Sequence, residues 1–473
     1  MLSDEDLLGL RARLFSLLGD ACGQTGQVLP RIGLDPVCGR AVPSAGALFP
    51  YELYLVLPAG ETTPSTSYIS DVDANVMRAV EAPDIGALGA AAGIPAPTGA
   101  LLCALVVAVA RPWRSMRKYG DRGYLYTCLD VAHATASIAA AAEAQRFAPT
   151  IFLRIRRRAL AHALGLSDHC REPQVVLALS ADADATDRGG KGGASQRMPS
   201  VCNLPFYHAE PTDEFEQRAW EGLRAITCYH QDFPPPQVIR RHSSLAGRSP
   251  APVGADTRDS ETLWRGLFEA APLRFSARGF LPEPLSVDAL EGALRDLDAD
   301  LLLDCADFDA RSGVSLSLAA RRIDGLEPGI YRLDPSGAMS RAVGGSDTPA
   351  SFSLACMNQS VVENAAGLVV LHAPVREVLA RRGRSGLCEL HFHAGQVAHK
   401  LCVAAARHDF GITCIGGFDE QLIAQAVWLQ SEDDAIYVIA IGKADPEAVK
   451  LDRAAIAYAH GAAQSTLQWS RLS

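Results

Sequence analysis

Leu7, Leu8, Leu10, Leu14, Leu17 and Leu18 recur at the three- and four-residue spacing of a helix face, and Asp4, Glu5 and Asp6 precede them. This predicts a helix over residues 4–20, with acidic groups favoured at the positive end of its dipole. A Gly- and Pro-containing loop is expected next, ending in Pro43-Ser44-Ala45-Gly46. Tyr51 to Leu57 reads as a strand and Tyr68-Ile69-Ser70 as a short one. Cys103 to Ala110 is apolar throughout, as expected of a strand covered on both faces. Tyr124 to Gln145 is dense in alanine and lacks Pro and Gly, which predicts a long buried helix. Val175 to Leu179 closes the unit as another strand.

The order then recurs. A helix over 260–270 leads into Arg274-Phe275-Ser276-Ala277-Arg278, and a second helix is expected from Ser286 to Leu297. Strands follow at Val314 to Ala319, Gly329 to Leu333 and Gly367 to Leu371; a long helix spans Glu389 to His408, and Ala435 to Ile441 is the last strand. This is the signature of a degenerate duplication of one α+β unit. Between the copies lie Asp182-Ala183-Asp184, the glycines of 189–193, Pro234-Pro235-Pro236 and the stretch Gly247 to Pro252, a linker composition around one amphipathic helix at Asp213 to Thr227. The expected division is a first domain at 1–190, a connector at 191–255 and a second domain at 256–473.

Composition narrows the function classes. With 48% hydrophobic and 21% charged residues among 473, the chain can bury a large core and is not disordered. Forty-four basic against 54 acidic side chains leave a net charge of −10, which disfavours general nucleic-acid binding. The longest apolar run, Ala100 to Ala110, is roughly half of the ~20 residues a membrane span requires. The acidic N-terminus is unlike a signal peptide, and the twelve scattered cysteines contain no C-x-x-C. Buried free thiols in a cytoplasmic protein are the expectation.

Three segments carry candidate chemistry. Ser44-Ala45-Gly46-Ala47 places small residues just before a buried strand, where backbone N–H groups can face a ligand. Gly416-Gly417-Phe418 follows the apolar Ile412 to Ile415 in the same way. Arg274, Ser276 and Arg278 put two guanidinium forks and a hydroxyl in one short segment, a set suited to a terminal phosphate. Taken singly, these read equally as a turn, a bulge and a solvated charged stretch. Neither a P-loop nor a G-x-G-x-x-G after a strand is present. Cys388-Glu389-Leu390-His391-Phe392-His393, with His399, contains metal-ligand types but no standard zinc spacing. Arg154-Ile155-Arg156-Arg157-Arg158 and Arg381-Arg382-Gly383-Arg384 are basic runs on an acidic protein; solvated faces are the plain account, docking of an acidic leader peptide or partner the alternative.

Taken together and in order, the motifs resemble a known family. Pro43-Ser44-Ala45-Gly46-Ala47-Leu48-Phe49-Pro50-Tyr51-Glu52-Leu53-Tyr54 resembles the signature of the flavin-dependent nitroreductase-like superfamily, and more narrowly its azoline dehydrogenases, which act with cyclodehydratases on ribosomal peptides. Lys118-Tyr119-Gly120-Asp121-Arg122-Gly123-Tyr124, followed by Leu129-Asp130-Val131-Ala132-His133, is similar to the same branch. Arg274-Phe275-Ser276-Ala277-Arg278-Gly279-Phe280 resembles the superfamily's FMN-phosphate motif, and Gly411 to Asp419 its glycine turn beside the flavin. The resemblance implies tandem nitroreductase-like α/β/α sandwich domains forming an intrachain pseudo-dimer.

The resemblance also implies FMN as cofactor, held by Pro43, Ser44, Ala45 and Gly46 of the first half and by Arg274, Phe275, Ser276, Arg278, Gly416 and Gly417 of the second. Lys118 and Tyr119 are the implied catalytic pair, with Arg114, Arg117 and Arg122 expected to lower the lysine's pKa below its usual value of about 10.4. The implied reaction oxidises azolines to azoles in a modified precursor peptide, with oxygen as reoxidant and a cyclodehydratase as a partner. A pseudo-dimeric monomer or a higher homo-oligomer is expected, without nucleic-acid or membrane partners. The first half lacks R-x-S-x-R and reads Ala148 to Arg154 where the glycine turn belongs; the second has Ala306 to Ala310 in place of the Ser-Ala-Gly loop and Arg381-Arg382 in place of Lys118-Tyr119. One intact and one eroded flavin site follow from that complementarity. An NAD(P)H-dependent nitroreductase-type enzyme on a small molecule and a non-catalytic scaffold of a biosynthetic complex remain as alternatives.

Overall fold

The computed structural model describes residues 2–29, 37–72, 75–81, 83–95, 101–166, 171–181, 200–202, 266–297, 314–333, 339–342 and 349–449. The first half contains α1 (Asp4–Cys22), β1 (Gln24–Leu29), β2 (Val37–Arg40), β3 (Tyr51–Leu57), β4 (Thr66–Asp71), β5 (Val76–Val80), α2 (Ile85–Ala92), β6 (Leu101–Ala110), α3 (Pro112–Tyr119), α4 (Arg122–Ala144), β7 (Ala148–Phe152), α5 (Arg157–Ala163), β8 (Glu172–Ala181) and β9 (Ser200–Cys202). The second contains β10 (Leu285–Ser286), α6 (Val287–Asp296), β11 (Ser315–Ala320), β12 (Ile323–Asp324), β13 (Gly329–Leu333), β14 (Met339–Arg341), α7 (Pro349–Ala355), α8 (Ser360–Glu363), β15 (Gly367–Ala373), α9 (Val375–Arg407), β16 (Gly411–Ile415), α10 (Glu420–Ala426) and β17 (Asp434–Gly442).

The two main sheets repeat one topology. Their orders are β7-β8-β6-β3-β4-β5-β9 and β16-β17-β15-β11-β13-β14, so that within these two sheets only β9 has no counterpart among the described strands. Leu55 of β3 faces Val106 of β6, and Leu318 of β11 faces Val369 of β15, in antiparallel register. Alternation along β3 sends Leu53, Leu55 and Leu57 to the core shared by the halves, and Tyr54 and Val56 to the opposite face under α2 and α5. The outer face of the second sheet is covered similarly by α7 and α10, through Phe352, Ala355 and Ile423. Each sheet is therefore buried on both sides, as in an α/β/α sandwich.

Helices α4 and α9 form the layer between the sheets. Almost every residue of α4 is buried, and its alanines allow close approach of its neighbours. Its internal hydroxyls are satisfied locally: Thr127 Oγ1 donates to the Gly123 carbonyl at 2.9 Å, and Thr135 Oγ1 to the Val131 carbonyl at 3.0 Å. At the crossing, a Cβ on Gly395 would lie 2.7 Å from both the Leu129 carbonyl oxygen and the Ala132 Cβ.

Several expectations change. The loop expected after α1 contains the hairpin β1–β2, because Thr25 and Val28 provide strand character that the intervening glycine obscured. The segment around Lys118 is a short helix, α3, started by Pro112 at its first turn. The long helix of the second half, α9, begins at Val375 rather than Glu389 and is broken at Gly383, whose φ of 63° and ψ of −157° interrupt the spiral. The expected connector helix, the Ala306 to Ala310 loop and the start of the 260–270 helix lie outside the described residues. No helix among the described residues is long and apolar enough to cross a membrane.

Candidate functional site

The small-residue loop of the first half is a single tight turn, Ala45–Ala47, entered from buried Pro43. Gly46 has φ 64°, and Ala47 and Phe49 also adopt positive φ, at 56° and 44°. Side chains normally avoid this backbone region, so something must hold it. Asp130, one turn before His133 on α4, does so. Ser44 Oγ donates to its Oδ2 at 2.6 Å, Ala45 N–H to its Oδ1 at 3.1 Å, and Phe49 N–H in turn to Ser44 Oγ at 2.8 Å. Burial raises the Asp130 carboxyl to about 7, against the opposing pull of the Ser44 and Ala45 hydrogen bonds.

Lys118 and Tyr119 end α3 directly over this turn. A Cβ on Gly46 would lie 2.7 Å from Lys118 Nζ and 2.8 Å from the Tyr119 hydroxyl, so a side chain there would displace both groups. Across the interface, the position a Cβ would take on Gly416 is 3.9 Å from the Tyr119 hydroxyl and 4.0 Å from Ala45 Cβ. The small-residue loop and the glycine turn, far apart in sequence, thus line one place.

The glycine turn is tied down by its carbonyls. Tyr126 donates to the Gly416 carbonyl, Gln359 Nε2 to the Gly417 carbonyl at 2.6 Å, and Arg122 Nη1 to the Phe418 carbonyl at 2.9 Å. Arg122 also pairs with Glu420. Its charge is therefore offset by a carboxylate, and Arg114 Nη1 is directed to the Phe49 carbonyl at 3.5 Å.

Arg274 is buried and serves two purposes. Its Nε donates to the Ala41 carbonyl at 2.8 Å and its Nη2 to the Arg40 carbonyl at 2.5 Å, while Nη1 reaches Ser276 Oγ at 3.3 Å. It thereby clamps the entry to the first half's small-residue loop from the second half. Among the described residues no carboxylate pairs with it, and burial, with Arg278 adding to it, lowers its pKa. Such a buried cation beside a second guanidinium produces a strongly positive site. Ala277 N–H donates to the Ile412 carbonyl at 2.9 Å, anchoring this segment to the strand that feeds the glycine turn. Phe275 is partly exposed beside it.

Sequence reasoning did not single out Tyr126 and Gln359, placed Asp130 only within a motif, and gave Arg122 a different role, on the lysine's pKa. Asp130 left a signal, a single carboxylate in the middle of an alanine-rich apolar helix. The His- and Glu-containing run on α9 goes elsewhere: Glu389 pairs with Arg154 and Arg382, and His391 Nδ1 lies 2.8 Å from the Leu387 carbonyl.

A family model described as the nitroreductase family matches residues 273–443. No curated protein matches the chain. Among solved structures, one from Anabaena variabilis, described as a nitroreductase, superposes with a TM-score of 0.69 at 20% identity, covering 94% of this chain and 90% of its own. The E. coli microcin synthetase McbBCD complex with truncated pro-MccB17 bound aligns at a TM-score of 0.32 and 13% identity, over 46% of this chain and 82% of that one. The NADPH:FMN oxidoreductase from Vibrio harveyi aligns at 0.28 and 14% identity, over 39% and 72%. Residues 273–443 thus match the nitroreductase family model, and the chain as a whole has a tandem nitroreductase-like fold.

Proposed function

We propose that the chain is an FMN-dependent oxidoreductase that converts azoline rings of a ribosomally made peptide to azoles. The observation that carries this reading is the convergence of Lys118 Nζ and the Tyr119 hydroxyl on Gly46, opposite Gly416 of the other half. The residues present fit the cofactor. Gly416 and Gly417 leave a cradle that Cβ atoms would fill, and the buried Arg274 offers positive charge without a carboxylate partner among the described residues. Arg274, Phe275, Ser276 and Arg278 would hold the phosphate end. Pro43, Ser44, Ala45, Gly46, Gly416 and Gly417 would line the ring.

Bound FMN supplies a hydride acceptor. The chain's own residues supply the rest. Lys118, in its neutral form, takes the proton from the ring carbon adjacent to the one that loses hydride, and the Tyr119 hydroxyl orients the ring or relays that proton. Asp130 fixes the loop beneath them, and Tyr126, Arg122 and Gln359 fix the turn opposite, so that the acceptor groups are positioned before substrate arrives.

The test is mass spectrometry of an azoline-containing peptide incubated with the FMN-loaded chain; each ring oxidised loses about 2 Da, the mass of two hydrogens. Lys118→Ala should retain FMN and slow the reaction roughly 10²–10⁴-fold. Rapid flavin reduction by NAD(P)H with no change in peptide mass would replace this reading by a small-molecule reductase, and failure to take up FMN would leave the scaffold.

A further inference from the structure

The pseudo-dyad relating the halves generates a second copy of the site. Gly120 (φ 60°, ψ −148°) and Gly383 (φ 63°, ψ −157°) share a backbone conformation that essentially only glycine adopts. They stand as far apart in sequence as the strand ends Ala110 and Ala373, and as Phe152 and Ile415. In this register Lys118 and Tyr119 correspond to Arg381 and Arg382, Tyr126 to Glu389, and Gly416-Gly417 to Leu153-Arg154.

The replaced residues close on one another. Arg154 grips Glu389 with two donors, Nε to Oε1 at 2.7 Å and Nη2 to Oε2 at 3.3 Å, and Arg382 Nη1 reaches Oε2 at 3.2 Å. An arginine side chain and its ion pairs thus occupy the place where the first site has bare glycine. The same closure brings together two basic runs separated by nearly half the chain. Arg156 and Arg158 are exposed within four residues of Arg154, and Arg381 and Arg384 within two residues of Arg382. Arg157 turns inward to Glu172, and Glu377 offsets Arg381 at 3.0 Å.

We infer that the exposed basic surface around this closed second site docks an acidic peptide segment. Guanidinium forks match carboxylates, and Arg154 already holds one, that of buried Glu389, in that geometry. A short run of Glu or Asp places its charge within the arginine rims. A nucleic acid would extend its phosphates over the rest of a surface whose chain carries net −10, which repels them. The inference concerns a different surface from the proposed flavin site and stands independently of the substrate assigned there.

The test uses the full-length chain and fluorescein-labelled octaglutamate, followed by anisotropy. Saturable binding is expected at about 50 mM salt, weakened at least roughly tenfold at about 500 mM. R156E/R158E and R381E/R384E should each weaken it about tenfold or more, whereas R295E/R341E, reversing exposed arginines elsewhere, should not. FMN content should be unchanged in all three, so that loss of docking is distinguishable from loss of the flavin site. A photo-crosslinking octaglutamate should label residues 153–158 and 376–385. Absence of saturable binding, equal weakening by R295E/R341E, cross-links confined to other segments, or tighter binding of a single-stranded oligonucleotide would each overturn the inference.

Discussion

Asp130 sits where a carboxylate is costly, among alanines in the central layer, and its two hydrogen bonds define the loop at the candidate site. Its pKa is raised from 3.8 to about 7, so the folded state binds a proton more readily than the unfolded chain between those values. The stability this contributes is fully present below the unfolded pKa and is lost as pH rises towards 7. Thermal melts of Asp130→Asn should therefore lose that part of the pH dependence; a profile parallel to the parent's would contradict this origin. Arg278→Ala should lose FMN, because a guanidinium fork to the phosphate is removed. Arg274→Ala should lose FMN and also about 1–3 kcal/mol of stability, because the Arg40 and Ala41 carbonyls lose their donor. Flavin absorbance and denaturant unfolding of the two variants read these outcomes.

At the scale of elements, the α4–α9 crossing sets how the two halves meet. Gly395→Ala would force a Cβ to 2.7 Å from a backbone carbonyl and from Ala132, so α4 and α9 must separate. A loss of about 1–3 kcal/mol is expected from such overpacking, read as a lowered denaturant midpoint. An unchanged midpoint would show that the helices are not in this contact. Most strands were legible because apolar runs such as Cys103 to Ala110 are compatible with few other environments. Helix α3 and the first part of α9 were not, because Arg-rich segments beside glycine resemble loops until the rest of the fold covers one face.

For the molecule as a whole, the duplication has an unequal outcome. One junction joins glycines, Lys118 and Tyr119; its dyad-related counterpart is closed by Arg154, Glu389 and Arg382. A single FMN per chain is therefore expected after reconstitution. Phosphate and flavin analysis of the desalted protein reads the ratio, and a value near two would mean that the ion pairs open to admit a second cofactor.

The sequence by itself determined the repeat, since hydrophobic periodicity and glycine placement are local properties written twice along the chain. It also determined the chemical types at the candidate site: the small-residue loop, Lys118-Tyr119, the Arg274 segment and the glycine turn. Only the tertiary structure decided which of them meet. That Gly46 lies beneath Lys118 while Gly416 faces Tyr119, and that Arg274 clamps the other half's backbone, depends on contacts between residues far apart in sequence. The same holds for Arg154 and Arg382, two solvated-looking arginines until Glu389, buried at the interface, needed both. Burial of a charge without partners is too costly to persist, and which partners come within reach is a property of the folded chain rather than of any one segment.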